Sequence, residues 1–399
     1  MNYIERTQRS VLLPFILIVS VTLNAYSLKI GFSLKPYMVL CALIFLFSLY
    51  RFEIHKLKLY EVIMLVFYTY YCSTGLFAKY NEHSIRLIGA ILINLSCYFI
   101  MRYTFSRLSI TNLEKLISRA GILFNFFSLA LYVIGAYTLD FNFSGNAIRA
   151  YGLLIDRGIP RLVGTFTDPN IFAFGNLIFF YYYLTHLREK ESKLGILLST
   201  TTLLLTFSRG AVLAIFFGIL IIFISAKPRD KIKMSLFCFI SIYILIHITR
   251  SLLSIDIVQI VVNRFGKIFE DNATGRLDLW MNSIEFFVDS PFWGIGIYNY
   301  RPYSREIFNV DNYMHNTFLE VLIESGIIGF LMYSLIFLIL LYVFYKYRNI
   351  RNESRYLFYT LCSMIVLMNS LSLVVNECFF MFLAVVWRYF KEKGRLVNE

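Results

Sequence analysis

Apolar runs of about 16 to 22 residues recur along this chain, each long enough to cross a bilayer as a helix. In lipid every backbone N–H and C=O must find a partner within the protein, so such runs admit helices and little else. Composition agrees: of 399 residues, 58% are apolar and only 16% charged, whereas soluble domains are roughly a quarter charged. The expectation is an all-α polytopic membrane protein, with residues 1–399 as a single transmembrane domain. We read about twelve spans, at roughly 11–28, 34–50, 59–78, 85–101, 116–139, 169–187, 194–207, 210–226, 234–253, 317–345, 356–374 and 376–390. The first residues lead into an ordinary span without a signal-peptide pattern.

A net charge of +13 would suit nucleic acid if it formed one patch. Topology orders it instead. With the N-terminus inside, alternate connections divide the 38 lysines and arginines into 24 inside and 14 outside, and the 25 acidic residues into 10 and 15. That is the positive-inside pattern. Both termini are therefore expected in the cytoplasm, and nucleic acid is dropped as a partner. The two longest connections, about 140–168 and 254–316, then lie outside, as does the turn Ser208-Arg209-Gly210. No ATP is available there in bulk, and the chain has no Walker-type glycine loop. Chemistry on that face needs a substrate that arrives already activated.

Residues 194–226 are flanked by basic runs on both sides, so the segment goes out and returns. Its first arm, 194–207, reaches roughly 21 Å against a hydrocarbon core of about 30 Å. Arg209 is expected below the outer surface, where a cation costs about 2.5–3.5 kcal/mol unless an anion or a water-filled cavity receives it. In the loop 254–316, the stretches 258–269 and 277–288 show helical spacing, with Trp280, Phe286, Phe287 and Trp293 as anchors. We read a helical outer-face loop between spans nine and ten. The six cysteines lie in or beside apolar runs without CxxC spacing and read as core residues.

The outer polar residues fall into four groups: Asp168 before Pro169, Arg209, Arg276, and His315 with Glu320 and Glu324. Each has a plainer reading. Asp168 is a natural N-cap with proline following. Arg276 could bond Asp278 or Glu270. Arg209 could snorkel. His315 could be a helix-start hydrogen-bonder, and the two glutamates could be solvated at the membrane edge. His247, inside a span near Arg250, reads as structural. Two arginines and a histidine nonetheless suit one chemistry. Arginine recognises phosphate bidentately, and a histidine titrating near neutrality suits general-base work. A metal site would want several oxygen ligands together, and the outer loops carry no Asp-x-Asp pair.

Four motifs occur in order: Arg161-Leu162-Val163-Gly164-Thr165-Phe166-Thr167-Asp168-Pro169-Asn170; Ser208-Arg209-Gly210; Gly275-Arg276 through Trp280 with Ser290-Pro291-Phe292-Trp293-Gly294-Ile295-Gly296; and His315-Asn316 through Glu320, with Glu324-Ser325-Gly326. Together they resemble the O-antigen polymerase and O-antigen ligase superfamily of bacterial membrane glycosyltransferases. The resemblance implies a glycosyltransferase-C-type fold in the inner membrane. It implies a donor glycan on polyprenyl diphosphate, periplasmic chemistry with inversion, and no metal or other cofactor. Carried over by motif, Arg209 and Arg276 would hold the diphosphate and His315 would deprotonate the acceptor. Arg161, Asp168, Asn170, Asn316, Glu320 and Glu324 would be substrate-binding. The acceptor would be a second lipid-linked glycan for a polymerase, the favoured reading, or lipid A–core for a ligase. Membrane lipids and a chain-length regulator would be further partners. A transporter or flippase of lipid-linked oligosaccharide is the reading from a different class; its two related halves are not evident here.

Overall fold

The computed structural model describes residues 3–30, 32–233, 235–236, 243, 276–347 and 354–393. Most of the expected ninth span, the 258–269 helix and His247 lie outside the described residues. Among the described residues the chain is mostly helical: α1 Tyr3–Val21, α2 Pro36–Ser48, α3 Leu59–Ser73, α4 Asn81–Ser106, α5 Ile110–Thr138, α6 Pro169–Thr185, α7 Lys190–Leu205, α8 Arg209–Ser225, α9 Arg276–Asp289, α10 Tyr300–Phe308, α11 Thr317–Lys346, α12 Arg355–Met368 and α13 Glu377–Lys393. Among the described residues a helix stands at each of the other expected spans. Of these, α4, α5 and α11 are long and apolar enough to cross a membrane. Val11–Val21, Pro36–Arg51, Arg209–Ser225 and Arg355–Met368 are shorter apolar helices.

The core is built around α6 and α13. Residues from Phe172 to Tyr183 and from Cys378 to Phe390 are buried almost without interruption, so these stretches of the two helices are enclosed on every side, and apart from Asn176 and Arg388 they carry no charged or amide side chain. Lipid gives no hydrophobic drive for helix association, so close packing and polar contacts hold such a bundle. Asn125 on α5 and Asn176 on α6 exchange amide hydrogen bonds of 3.1 and 2.8 Å. Thr202 on α7 donates to Asn125 at 2.5 Å. On the far side, the hydroxyls of Tyr181 on α6 and Ser363 on α12 lie 2.7 Å apart. Arg102, expected in a loop, lies inside the bundle instead. It is paired with the fully buried Glu61 at 2.5 Å, because α4 runs on to Ser106.

The 140–168 connection departs from the all-α expectation. It holds an antiparallel sheet, β3 Ile148–Ala150, β4 Leu153–Asp156 and β5 Ile159–Leu162, after a two-residue-per-strand ribbon of β1 Leu28–Lys29 and β2 Ser33–Leu34. Ala150 pairs with Leu153 and Asp156 with Ile159, which leaves two-residue turns at Tyr151-Gly152 and Arg157-Gly158. Arg157 and Gly158 both have positive φ, the geometry that matches strand twist. Leu153 and Ile155 alternate inward onto Ala136 at the end of α5. The signal was present as Arg157-Gly158 between apolar-alternating stretches.

Candidate functional site

Three of the four motifs open a helix with a side-chain cap. Asp168 precedes α6 and accepts from the backbone N–H groups of Asn170 (2.7 Å) and Ile171 (3.1 Å). Ser208 precedes α8 and accepts from Ala211 N–H at 3.1 Å. Asn316 precedes α11 and accepts from Leu319 N–H at 3.1 Å. Each cap satisfies orphan donors of a first turn and leaves the positive end of the helix dipole in place. Asp168 and Asn316 therefore have a structural duty whatever else they touch.

The first two motifs interlock. Ser208 donates its hydroxyl to Asn170 Oδ1 at 2.6 Å. Arg161 donates to the same Oδ1 at 3.3 Å, to the Thr206 carbonyl at 3.0 Å and to Asp156 at 3.0 Å. Arg161 and Asn170 thus fix the Thr206-Phe207-Ser208 turn, in which Phe207 has φ 48°. That turn separates α7 from α8, as the flanking charges required. Arg209 follows it at the first position of α8 with its side chain exposed, not enclosed by protein. Arg149, which the sequence reading did not single out, donates to the Thr167 carbonyl and adds a fourth guanidinium beside Asp168.

The other two motifs meet through Trp280. One turn into α9 from Arg276, its indole N–H donates to the Met314 carbonyl at 3.0 Å, next to His315. His315 itself has φ 53°, a conformation that costs a non-glycine residue on the order of 1 kcal/mol. Its backbone N–H donates to Ser372 Oγ at 3.1 Å. Thr317 donates to the Leu371 carbonyl at 2.6 Å and accepts from Leu373 N–H at 3.0 Å. A Cβ on Gly210 would stand 2.9 Å from Ser370 Oγ. The unwound link between α12 and α13 therefore touches both the Arg209 turn and the His315 turn. Sequence reading ran it into a span; the polar residues Asn369, Ser370, Ser372 and Asn376 were the missed signal.

Charge ties the pieces together. Burial, then the charge of Arg209, disfavours the protonated Arg276 guanidinium; Asp168 opposes this and Arg161 adds to it. Burial, then the charge of Arg276, holds His315 below its ordinary value near 6.5, with Asp168 pulling the other way. So Arg161, Arg209, Arg276, Asp168 and His315 share one region. Among the described residues no carboxylate forms an ion pair with Arg209 or Arg276. Crowded arginines beside helix N-termini form a receptor for an anion such as a phosphate group.

The two glutamates are buried, not solvated at a membrane edge. Glu320 is 7% exposed and Glu324 is 1% exposed. Glu324 accepts from the Tyr71 hydroxyl and from the N–H groups of Tyr298 (2.8 Å) and Tyr300 (3.1 Å). It anchors the loop before α10. Alongside it the chain zips across a break in α11: Ile295 N–H donates to Ile323 O, Gly296 N–H to Glu324 O, and Ile327 N–H to Pro291 O, at 2.9–3.0 Å. Gly326 makes the break, with φ 65° and ψ −171°, a region essentially closed to other residues. A Cβ there would lie 2.2 Å from the Phe292 carbonyl. We therefore expect Gly326→Ala to cost about 2–4 kcal/mol and to expose amides 292–296 to hydrogen exchange. Gly89→Ala, where nothing lies within 4 Å, serves as the control and should be neutral or slightly stabilising. Equal melting of the two variants in detergent would contradict the zipped geometry.

This arrangement defines a helical membrane protein with a cationic, histidine-bearing site at one end of its bundle. Residues 194–334 match the model of the O-antigen ligase family. The match takes in Arg209, Arg276, His315 and Gly326. Over 216 residues, 48% of this chain and 43% of the relative, it is 27% identical to the teichuronic acid biosynthesis protein TuaE of Bacillus subtilis. Over 90 residues, 20% of each chain, it is 31% identical to the exopolysaccharide production protein ExoQ of Rhizobium meliloti. The chain thus spans less than half the length of the curated relatives it matches.

Proposed function

We propose that this protein is a surface-polysaccharide polymerase of the bacterial inner membrane. It joins polyprenyl-diphosphate-linked oligosaccharide repeat units on the outer face, with both termini in the cytoplasm. The observation that carries the reading is the gathering of Arg161, Arg209 and Arg276 around Asp168 and a histidine biased toward its neutral form. Arg209 and Arg276 would bind the donor diphosphate and stabilise the charge it gains as it leaves. His315 would accept the proton of the acceptor hydroxyl as its oxygen attacks the anomeric carbon from the face opposite the diphosphate. The carbon–oxygen bond to the phosphate breaks, its electrons stay on the diphosphate, and the configuration inverts. Arg161 and Asn170 would act chiefly by holding the Arg209 turn, and Asn316 and Asp168 by fixing helix starts. Glu320 and Glu324 would act through the fold behind His315.

The family description favours a ligase as the second reading. The relatives, named for teichuronic acid and exopolysaccharide, give no support to a lipid A–core acceptor, and the polymerase is preferred for that reason. Deleting the gene in its host and resolving extracted glycan on a gel separates the readings. A polymerase leaves single repeat units, a ligase leaves long lipid-linked chains that are never transferred, and a transporter leaves unprocessed units on the cytoplasmic face. Either of the last two results overturns the polymerase.

A further inference from the structure

At the opposite end of the bundle from His315, roughly 25 Å away along α13, lies a cavity of about 480 Å³. Tyr50, Arg51, Glu53, His55, Tyr103, Ser106, Arg107 and Lys391 line it. Its floor is rigid. The Arg102 guanidinium, 2% exposed, lies 4.3 Å from the centre of the Trp387 ring and donates to the His55 carbonyl. The His55 ring stacks on the same indole, and its Nε2 is 3.0 Å from Lys391 Nζ and 3.1 Å from Ser106 Oγ. At the rim, the Arg107 guanidinium is held over the Tyr103 ring at 4.3 Å. Against three cationic side chains the lining offers one carboxylate, Glu53. Among the described residues no carboxylate pairs with Arg51 or Arg107.

Beside the rim, the end of α2 and the 3-10 turn Leu49–Arg51 that follows it present Leu46, Phe47, Leu49 and Tyr50 outward, with Phe47 89% exposed. An apolar wall running into a basic pocket between helix ends matches the two halves of an anionic lipid. Arg107 and Arg51 supply forked donors for a phosphate, and the wall supplies the bed for acyl chains. We propose that this cavity binds the phosphate headgroup of an anionic phospholipid from the leaflet opposite the candidate site. The same basic lining would take free phosphate; the apolar wall is what favours the lipid.

The test uses the full-length protein in detergent, with lipid adducts counted by native mass spectrometry. Dioleoyl phosphatidylglycerol, dioleoyl phosphatidylcholine of equal chain length and inorganic phosphate are the probes. Wild type should hold phosphatidylglycerol over phosphatidylcholine by about tenfold or more. Arg51→Ala/Arg107→Ala should bring the ratio close to one, and Arg51→Lys/Arg107→Lys should retain most of it. Should the double alanine variant fail to purify folded, Arg107→Gln alone must still lower the ratio several-fold. A ratio unchanged in the folded variants overturns the proposal. So does millimolar inorganic phosphate that displaces the glycerol lipid completely, which would make this a site for the free anion.

Discussion

Replacing His315 with alanine should slow glycan transfer by about 10²–10⁴-fold, the usual worth of a positioned general base, while leaving the membrane bundle intact. Among the described residues the bond that holds its turn is made by the backbone N–H, to Ser372, and not by the side chain. Because φ is 53° at this position, alanine adds a small strain of its own, and asparagine, which tolerates the left-handed region better, is the cleaner partner variant. Both should accumulate unprocessed lipid-linked repeat units, with Asn the better expressed. The pH profile supplies a second readout. Burial and Arg276 lower the pKa of His315, so the acid limb of kcat/KM should fall below about pH 6.5. With the anionic donor bound, the negative charge favours imidazolium, and the acid limb of kcat should move upward from that of kcat/KM. The folded-state shift is a depression. Its contribution to stability is therefore complete above the unfolded value and lost as pH falls from there through the lower folded value. Transfer by well-expressed His315→Asn at the wild-type rate, or an acid limb above 6.5 in kcat/KM, would remove His315 from the reaction.

Much of this architecture was legible because lipid narrows the choices. Apolar runs had to become helices, and the basic runs on both sides of 194–226 called for a reversal within it, so the turn at Ser208 followed from charge alone. Arg102 escaped that logic: a cation in a span reads as a loop residue until Glu61, 41 residues earlier, is seen to neutralise it. The sheet after α5 was missed because a water-exposed connection obeys hairpin rules, not bilayer rules, and Arg157-Gly158 speaks only in that second language. The site was half legible. Types of residue and order of motifs pointed to arginines and a histidine, but not to what supports them. Ser372 joins His315 only because α12 stops at Met368, and no periodicity in 356–374 announces the stop. Glu324 looked like an edge carboxylate four residues from Glu320; it became a buried anchor because Gly326 breaks the helix and lets 291–296 lie against it.

Arg209→Ala should abolish transfer almost as fully as the loss of His315, by about 10²–10³-fold, yet leave the protein as stable as before or slightly more stable. The reasoning starts from what Arg209 costs. It occupies the first position of α8, where the helix dipole already presents positive charge and a cation is unfavourable by about 0.3–1 kcal/mol. It adds a like charge that disfavours the protonated Arg276. Its side chain is exposed and forms no ion pair among the described residues. Removing it relieves two repulsions and breaks no hydrogen bond or ion pair among the described residues, while the turn remains held by Arg161, Asn170 and Ser208. A residue that works against its own fold is understood if an anion supplies the missing charge, and a transferring diphosphate is such an anion. Arg209→Lys keeps the charge but not the fork, so it should recover only part of the rate. Thermal unfolding in detergent and transfer to acceptor, measured on the same preparations, read the two effects separately. A strongly destabilised Arg209→Ala protein would show that the side chain belongs to the fold, and one that transfers normally would show that the diphosphate is held elsewhere.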